Sequence, residues 1–241
     1  MPAPMTPCRR RGPTSAPWSI VRASRWLAQK RWLGVWVGSA LINSPLWPSR
    51  CVRAGMATTC CSFWRCRLQA EQLWTSSGAL VEGPLLITPR VFGDERGWFF
   101  ESWNQRRFDE AVGQSVVFSQ DNHSRSAQGV LRGLHYQLPP EPQAKLVRVT
   151  AGAIFDVAID LRQSSATYGQ WVGAQLSAEN HQQLWVPEGF AHGFLTLSAV
   201  AEVQYKTRGF WNKGCERAIR WDDPALAIAW PLEGLTVQVS E

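Results

Sequence analysis

The sequence predicts an all-β sandwich or barrel over residues 79–241, with one or two short helices and an irregular extension before it. Three observations carry this. From about residue 79 the chain breaks into short apolar runs: "LLITPRVF", "GWFFESW", "SVVFSQ", "KLVRVTAG", "AIFDVAIDLR", "WVGAQLSA", "QLWVPEG", "HGFLTLS", "AEVQYKT" and "RAIRWDD". Gly, Pro, Asn and Asp punctuate them at short, fairly regular spacing, as in sandwiches and barrels. Only "NQRRFDEAVG", residues 104–113, reads as a helix, ending at Gly113. Charge and composition also change abruptly near residue 79.

At 241 residues, 45% hydrophobic and 18% charged, the chain has the composition of a folded protein with a sizeable core. Its net charge of +6 is unevenly spread. Residues 1–78 hold eleven Lys or Arg and one acid, Glu71, a balance of +10. Residues 79–241 hold fourteen basic and eighteen acidic residues, a balance of −4. The basic character therefore belongs to the extension, and neither a nucleic-acid nor a membrane partner is expected of the folded part.

Five of six cysteines (Cys8, Cys51, Cys60, Cys61, Cys66) and seven of fourteen tryptophans precede residue 75. No sustained period runs through residues 1–78, and no paired-Cys spacing repeats as a zinc site requires. Three readings compete for this Trp-, Cys- and Arg-rich segment. "WLGVWVGSALI" (32–42) behind Arg25, Lys30 and Arg31 resembles a signal-peptide core, but it starts late and is too short to span a bilayer. The absence of acids up to residue 70 resembles a transit peptide. The favoured expectation is a misassigned extension of the reading frame that forms no folded domain.

Alternation defines strand faces without saying what they meet. In "AIFDVAIDLR", Phe155, Val157, Ile159 and Leu161 share one side; Asp156, Ala158, Asp160 and Arg162 share the other. In "KLVRVT", Lys145, Val147 and Val149 oppose Leu146, Arg148 and Thr150. A sandwich with a polar inner cavity gives this pattern, and so does an ordinary exposed sheet.

"VLRGLHYQ" (130–137) sharpens the question. It is β-compatible in Val130, Leu131, Leu134 and Tyr136, yet it also carries Arg132, His135 and Gln137. Arg132 and His135 are three apart, so strict alternation sends them to opposite faces. A bend or bulge at Gly133, which has no Cβ, would turn both to the same side.

"VFGDERGWFFESWNQ", "QDNHS", "VLRGLHYQ", "AKLVRV", "FDVAIDLR", "QLWVPEGFAHGF", "AEVQYKT" and "IRWDDP" resemble, in order and near-matching intervals, the dTDP-4-dehydrorhamnose 3,5-epimerase family. The resemblance covers roughly residues 79–241. It implies a cupin-type jelly roll, a homodimer, an active site inside the barrel and a cytoplasmic enzyme needing no cofactor. The substrate implied is a dTDP-4-keto-6-deoxyhexose, inverted at C3 and C5.

That chemistry asks for a base, an acid facing it and a fixed positive charge near the keto oxygen. By the resemblance His135 is the base, Tyr205 the acid and Lys145 the cation beside the keto oxygen. The same carry-over makes Arg96, Glu101, Gln120, Asn122, Arg132, His192 and Glu216 substrate-binding residues. Arginines suit the diphosphate because a guanidinium contacts phosphate oxygens in pairs. Asp156 is a possible support for Lys145 or His135, and Phe210 and Trp211 are candidates to pack on thymine, Trp211 standing where Tyr is commoner. On the residues alone, the alternative for each is an ordinary strand or turn side chain.

Three alternatives remain. A metal-dependent cupin would use His135 and His192, but position 137 is Gln where a His-x-His pair is needed, and His123 and His181 sit in turn-like contexts, so no metal ligand set is expected. A non-catalytic nucleotide-sugar binder or a mono-epimerase would carry many of the same residues. Family members also continue into a Ser-x-Lys-Asp stretch whose Asp pairs with the catalytic His. Here "VQVSE" ends at Glu241, so a C-terminally truncated domain is expected, with His135 lacking that carboxylate.

Overall fold

Alternating apolar positions close into two facing antiparallel sheets in the computed structural model, which describes residues 68–239. One sheet has six strands in the order β1 (Gln69–Trp74), β2 (Leu80–Thr88), β10 (Gln183–Val186), β7 (Ala144–Ala151), β12 (Val200–Arg208), β5 (Gln120–Ala127). The other has five: β13 (Glu216–Ala218), β6 (Leu131–Gln137), β11 (Phe190–Thr196), β8 (Ala153–Asp160), β9 (Trp171–Ser177). A separate hairpin pairs β3 (Val91–Asp94) with β4 (Gly97–Phe100). This is the expected cupin-type jelly roll.

Both faces of each sheet are used, which is why periodicity alone left the faces open. Between the sheets, Val147, Val149, Leu184 and Val186 meet Ile154, Ala158, Val172, Phe190 and Phe194. On the outer side of the five-stranded sheet, Val157, Ile159 and Leu195 pack beneath Trp221, Ile228 and Trp230 of the C-terminal segment. The apolar side of "AIFDVAIDLR" thus faces that segment, and the side carrying Asp156 and Ala158 faces the barrel interior.

Helix α1 (Gln105–Val112) lies where the sequence predicts it. Asn104 caps it, its Oδ1 accepting from the Arg107 amide at 3.2 Å, and Gly113 closes it in the left-handed conformation at φ 76°. Phe108 is its one buried residue and packs with Ile87, Leu146 and Trp185 on the six-stranded sheet. After α1 the chain enters β5 at the edge of that sheet.

Several boundaries differ from expectation. β1 lies before residue 79 and pairs along β2, so residues 69–74 belong to the sandwich. Residues 1–67 of the expected extension, with its five cysteines, lie outside the described residues, as do Ser240, Glu241 and the expected truncation. "LLITPRVF" divides into β2 and β3 around Pro89–Arg90, "SVVFSQ" forms no strand before Gln120, and "QDNHS" opens β5. His123 is therefore on a strand, with Nε2 3.2 Å from Glu202. Among the described residues, no helix is long and apolar enough to cross a membrane.

Candidate active site

A cavity of about 480 Å³ opens between the sheets. Its wall includes His135 and Arg132 from β6, Lys145 from β7, His192 and Phe194 from β11, and Tyr205 from β12. Trp211, Glu216 and the C-terminal Gln238 and Val239 stand around it as well.

The turn of β6 that brings Arg132 and His135 together is a bulge. His135 pairs with His192 and Arg132 with Phe194, so Gly133 and Leu134 stand opposite the single residue Gly193. Gly133 takes φ 119°, and a Cβ there would lie 2.6 Å from the Gly193 Cα and 2.7 Å from the His192 carbonyl oxygen. Only glycine fits that approach without displacing the neighbouring backbone.

Burial and neighbouring charge tune the three candidate catalytic groups. Burial pushes the Lys145 ammonium down to about 8, against the opposing attraction of Asp156 and Glu216. Burial also lowers the His135 imidazole; Glu216 opposes this, while Lys145 and His192 add to it. The Tyr205 phenol is raised by burial, with Arg132 pulling it down and Glu216 pushing it up. Near neutral pH these settings favour a neutral imidazole, a charged ammonium and a protonated phenol.

The surrounding side chains hold this set in place. Arg132 Nε donates to Ser126 Oγ at 2.9 Å. His192 Nε2 donates to the buried Asp156 Oδ1 at 2.6 Å. Of the two groups Asp156 is expected to support, Lys145 receives its charge, while the hydrogen bond of Asp156 goes to His192. Glu216 Oε1 lies 3.7 Å from His135 Nδ1, an enclosed nitrogen without a hydrogen bond.

Other predicted residues fall into two groups. Gln120 and Asn122 are inward-facing on β5, linked by a 2.9 Å bond from Gln120 Nε2 to Asn122 Oδ1, and Asn122 stands opposite Tyr205. Neither Gln120 and Asn122 nor Arg96 and Glu101 are in the cavity wall. Arg96 sits in the β3–β4 turn, its Nε donating to Asp94 at 3.1 Å. Glu101 is held at the start of α1 by Asn104 Nδ2 at 2.9 Å and Arg107 Nη1 at 2.8 Å. Phe210 is exposed and outside the wall, whereas its neighbour Trp211 is in it.

Ser124, Ser126 and Phe194 escaped sequence reading. The two serines continue the period-two face begun by Gln120 and Asn122, so recognising β5 as a strand would have found them. Among the described residues, no group of three or more His, Cys, Asp or Glu is arranged to hold a metal ion. Gln137, at the position a second metal-binding histidine would take, bonds to backbone groups instead.

The chain whose jelly roll encloses this imidazole, buried ammonium and phenol matches the dTDP-4-dehydrorhamnose 3,5-epimerase family model over residues 79–241, and it belongs to that family. A dTDP-4-dehydrorhamnose 3,5-epimerase of Pseudomonas aeruginosa is 63% identical over 149 residues, covering 62% of this chain and 82% of that protein. Its Shigella flexneri counterpart is 60% identical over the same span and shares of each chain. Among solved structures, a Legionella pneumophila dTDP-6-deoxy-D-glucose-3,5-epimerase in complex with dTDP-4-keto-L-rhamnose is 48% identical. It superposes with a TM-score of 0.65, covering 71% of this chain and 88% of that one.

Proposed function

We propose that the chain converts dTDP-4-dehydro-6-deoxy-D-glucose to dTDP-4-dehydro-L-rhamnose by inverting C3 and C5. The observation that carries this reading is that His135, Lys145 and Tyr205, on three strands of two sheets, line one cavity. C3 and C5 both flank the C4 ketone, so their protons are acidified by the same carbonyl. His135 takes the proton from carbon, and the electron pair moves onto the C4 oxygen as an enolate. The Lys145 ammonium stabilises that oxygen. Collapse of the enolate draws the Tyr205 proton onto the opposite face of the carbon, which completes the inversion.

Arg132, with Gln120, Asn122, His192 and Glu216, binds the nucleotide sugar in this reading, Arg132 meeting the diphosphate. The reading includes a cytoplasmic homodimer. Arg96 and Glu101 border the β3–β4 hairpin, whose Trp98 and Phe99 are 63% and 68% exposed. A second copy seated on that hairpin covers both rings and brings Arg96 and Glu101 to the partner's cavity.

Product analysis tests the reading. Purified protein incubated with the 4-keto sugar nucleotide and a 4-keto reductase is expected to yield dTDP-L-rhamnose, identified by NMR. Recovery of only the D-configured reduction product would reject it.

A further inference from the structure

The loop from Gly209 to Cys215 joins β12 of one sheet to β13 of the other, and two glutamines on opposite sheets hold it. Gln137 on β6, 8% exposed, commits its whole carboxamide to backbone. Its Nε2 donates to the carbonyls of Glu141 at 2.6 Å and Phe210 at 3.2 Å, and its Oε1 accepts from the Asn212 amide at 2.7 Å. Gln120 Oε1 on β5 accepts from the Trp211 amide at 3.2 Å. Three consecutive residues, Phe210, Trp211 and Asn212, are thereby fixed through their main chain.

The side chains of that segment have little else to hold them. Trp211 is 54% exposed although it lines the cavity. Its place therefore depends on the backbone bonds. Glu216, just beyond the loop, pairs with Gln137 in the β13–β6 register, so one residue anchors both ends of the segment that closes this side of the cavity.

We propose that Gln137 is a positioning residue for nucleotide recognition, its carboxamide locking the 209–215 loop so that Trp211 stands at the cavity mouth as a stacking wall for the nucleotide base. This rests on the nucleotide-sugar reading given above. A base stacks on an indole face without needing a particular hydrogen-bond pattern, so what the protein must supply is the ring's position. Holding the loop in its bound form before the ligand arrives removes an ordering cost from binding.

The amide suits this position for a specific reason. Two carbonyl oxygens need donors, and one amide needs an acceptor, all within reach of a single side chain. A glutamate of the same shape presents only acceptors to the Glu141 and Phe210 carbonyls.

Calorimetric titration of the full chain with dTDP tests the proposal, using Gln137→Glu, Trp211→Ala and the double variant. The unsubstituted chain is expected to bind. Each single substitution is expected to weaken dTDP about tenfold, and the double no further than Trp211→Ala alone, because Gln137 acts through Trp211. For Gln137→Glu the loss is expected to appear mainly in KM rather than in kcat. Gln137→Met, uncharged and of similar length, takes the place of Gln137→Glu if the latter fails to fold. Unchanged dTDP affinity in the Gln137 variants, or a double variant about a hundredfold weaker, overturns the proposal and leaves the functional reading standing. Failure of the unsubstituted chain to bind dTDP overturns the functional reading instead.

Discussion

Arg132 and His135, three residues apart on β6, line the same cavity because Gly133 and Leu134 together oppose Gly193 alone. The bulge converts two residues of opposite parity into neighbours in one site. Its glycines are therefore part of the active-site architecture. Gly133→Ala places a Cβ within 2.7 Å of two backbone atoms at a φ of 119°. We expect a loss of about 3 kcal/mol or more in chemical denaturation, with activity lost in what remains folded. Stability within about 0.5 kcal/mol of the parent would show that the bulge relaxes freely.

The pH dependence of kcat/KM follows from two groups whose active forms differ. His135 must be neutral to accept a proton, and its lowered pKa keeps it so below the ordinary imidazole value of 6.5. Lys145 must be charged to stabilise an enolate, and it loses its proton as pH rises through about 8. The profile is expected to be a bell with its acid limb below 6.5 and its alkaline limb near 8. Lys145→Arg keeps its charge at every pH in this range, so the alkaline limb should disappear while the acid limb stays.

Asp156 acts on the same limb from a distance. Its charge holds the Lys145 pKa up, so Asp156→Asn is expected to move the alkaline limb below about 8. The substitution also weakens the 2.6 Å bond to His192, costing about 2 kcal/mol of stability. An unmoved limb in a folded variant would remove Asp156 from the electrostatics of Lys145.

Tyr205→Phe separates proton removal from proton return. With His135 and Lys145 intact, the variant should still exchange substrate hydrogen with solvent at a measurable rate. Inversion should fall by roughly 10²-fold or more, the range of a lost general acid. Wild-type inversion in this variant would assign the proton donor elsewhere.

Much of the fold was legible because apolar side chains must alternate where a sheet covers a core. β7, β8, β9 and β12 lie close to their predicted runs, and Asn104 and Gly113 delimit α1 as the caps of "NQRRFDEAVG". β5 was missed for a physical reason: its inward residues Gln120, Asn122, Ser124 and Ser126 are all polar, so no apolar alternation exists to read. β1 was hidden by the basic composition before it, which masked a six-residue pairing with β2. "SVVFSQ" has strand composition but packs Val116 and Phe118 under α1 instead.

The site was legible where one chain segment dictates it and obscure where packing does. Gly133 signalled the turn that unites Arg132 with His135. Lys145 shares the inward side of β7 with Val147 and Val149, as alternation indicated. Nothing local to Asp156 distinguishes His192 from His135 as its partner, because that choice depends on the β8–β11 register. Gln137 likewise reveals its work only once the 209–215 loop is folded over it.

In the proposed reaction one base, His135, removes the protons on both sides of a ketone held in this cavity. Proton NMR of the 4-keto sugar nucleotide in deuterated water follows this directly. The expected result is loss of the C3 and C5 proton signals in step with inversion, and loss of that exchange by about 10²-fold or more in a folded His135→Asn variant. Exchange at one carbon alone would make the chain a mono-epimerase. Undiminished exchange at both carbons in His135→Asn would show that another group removes both protons.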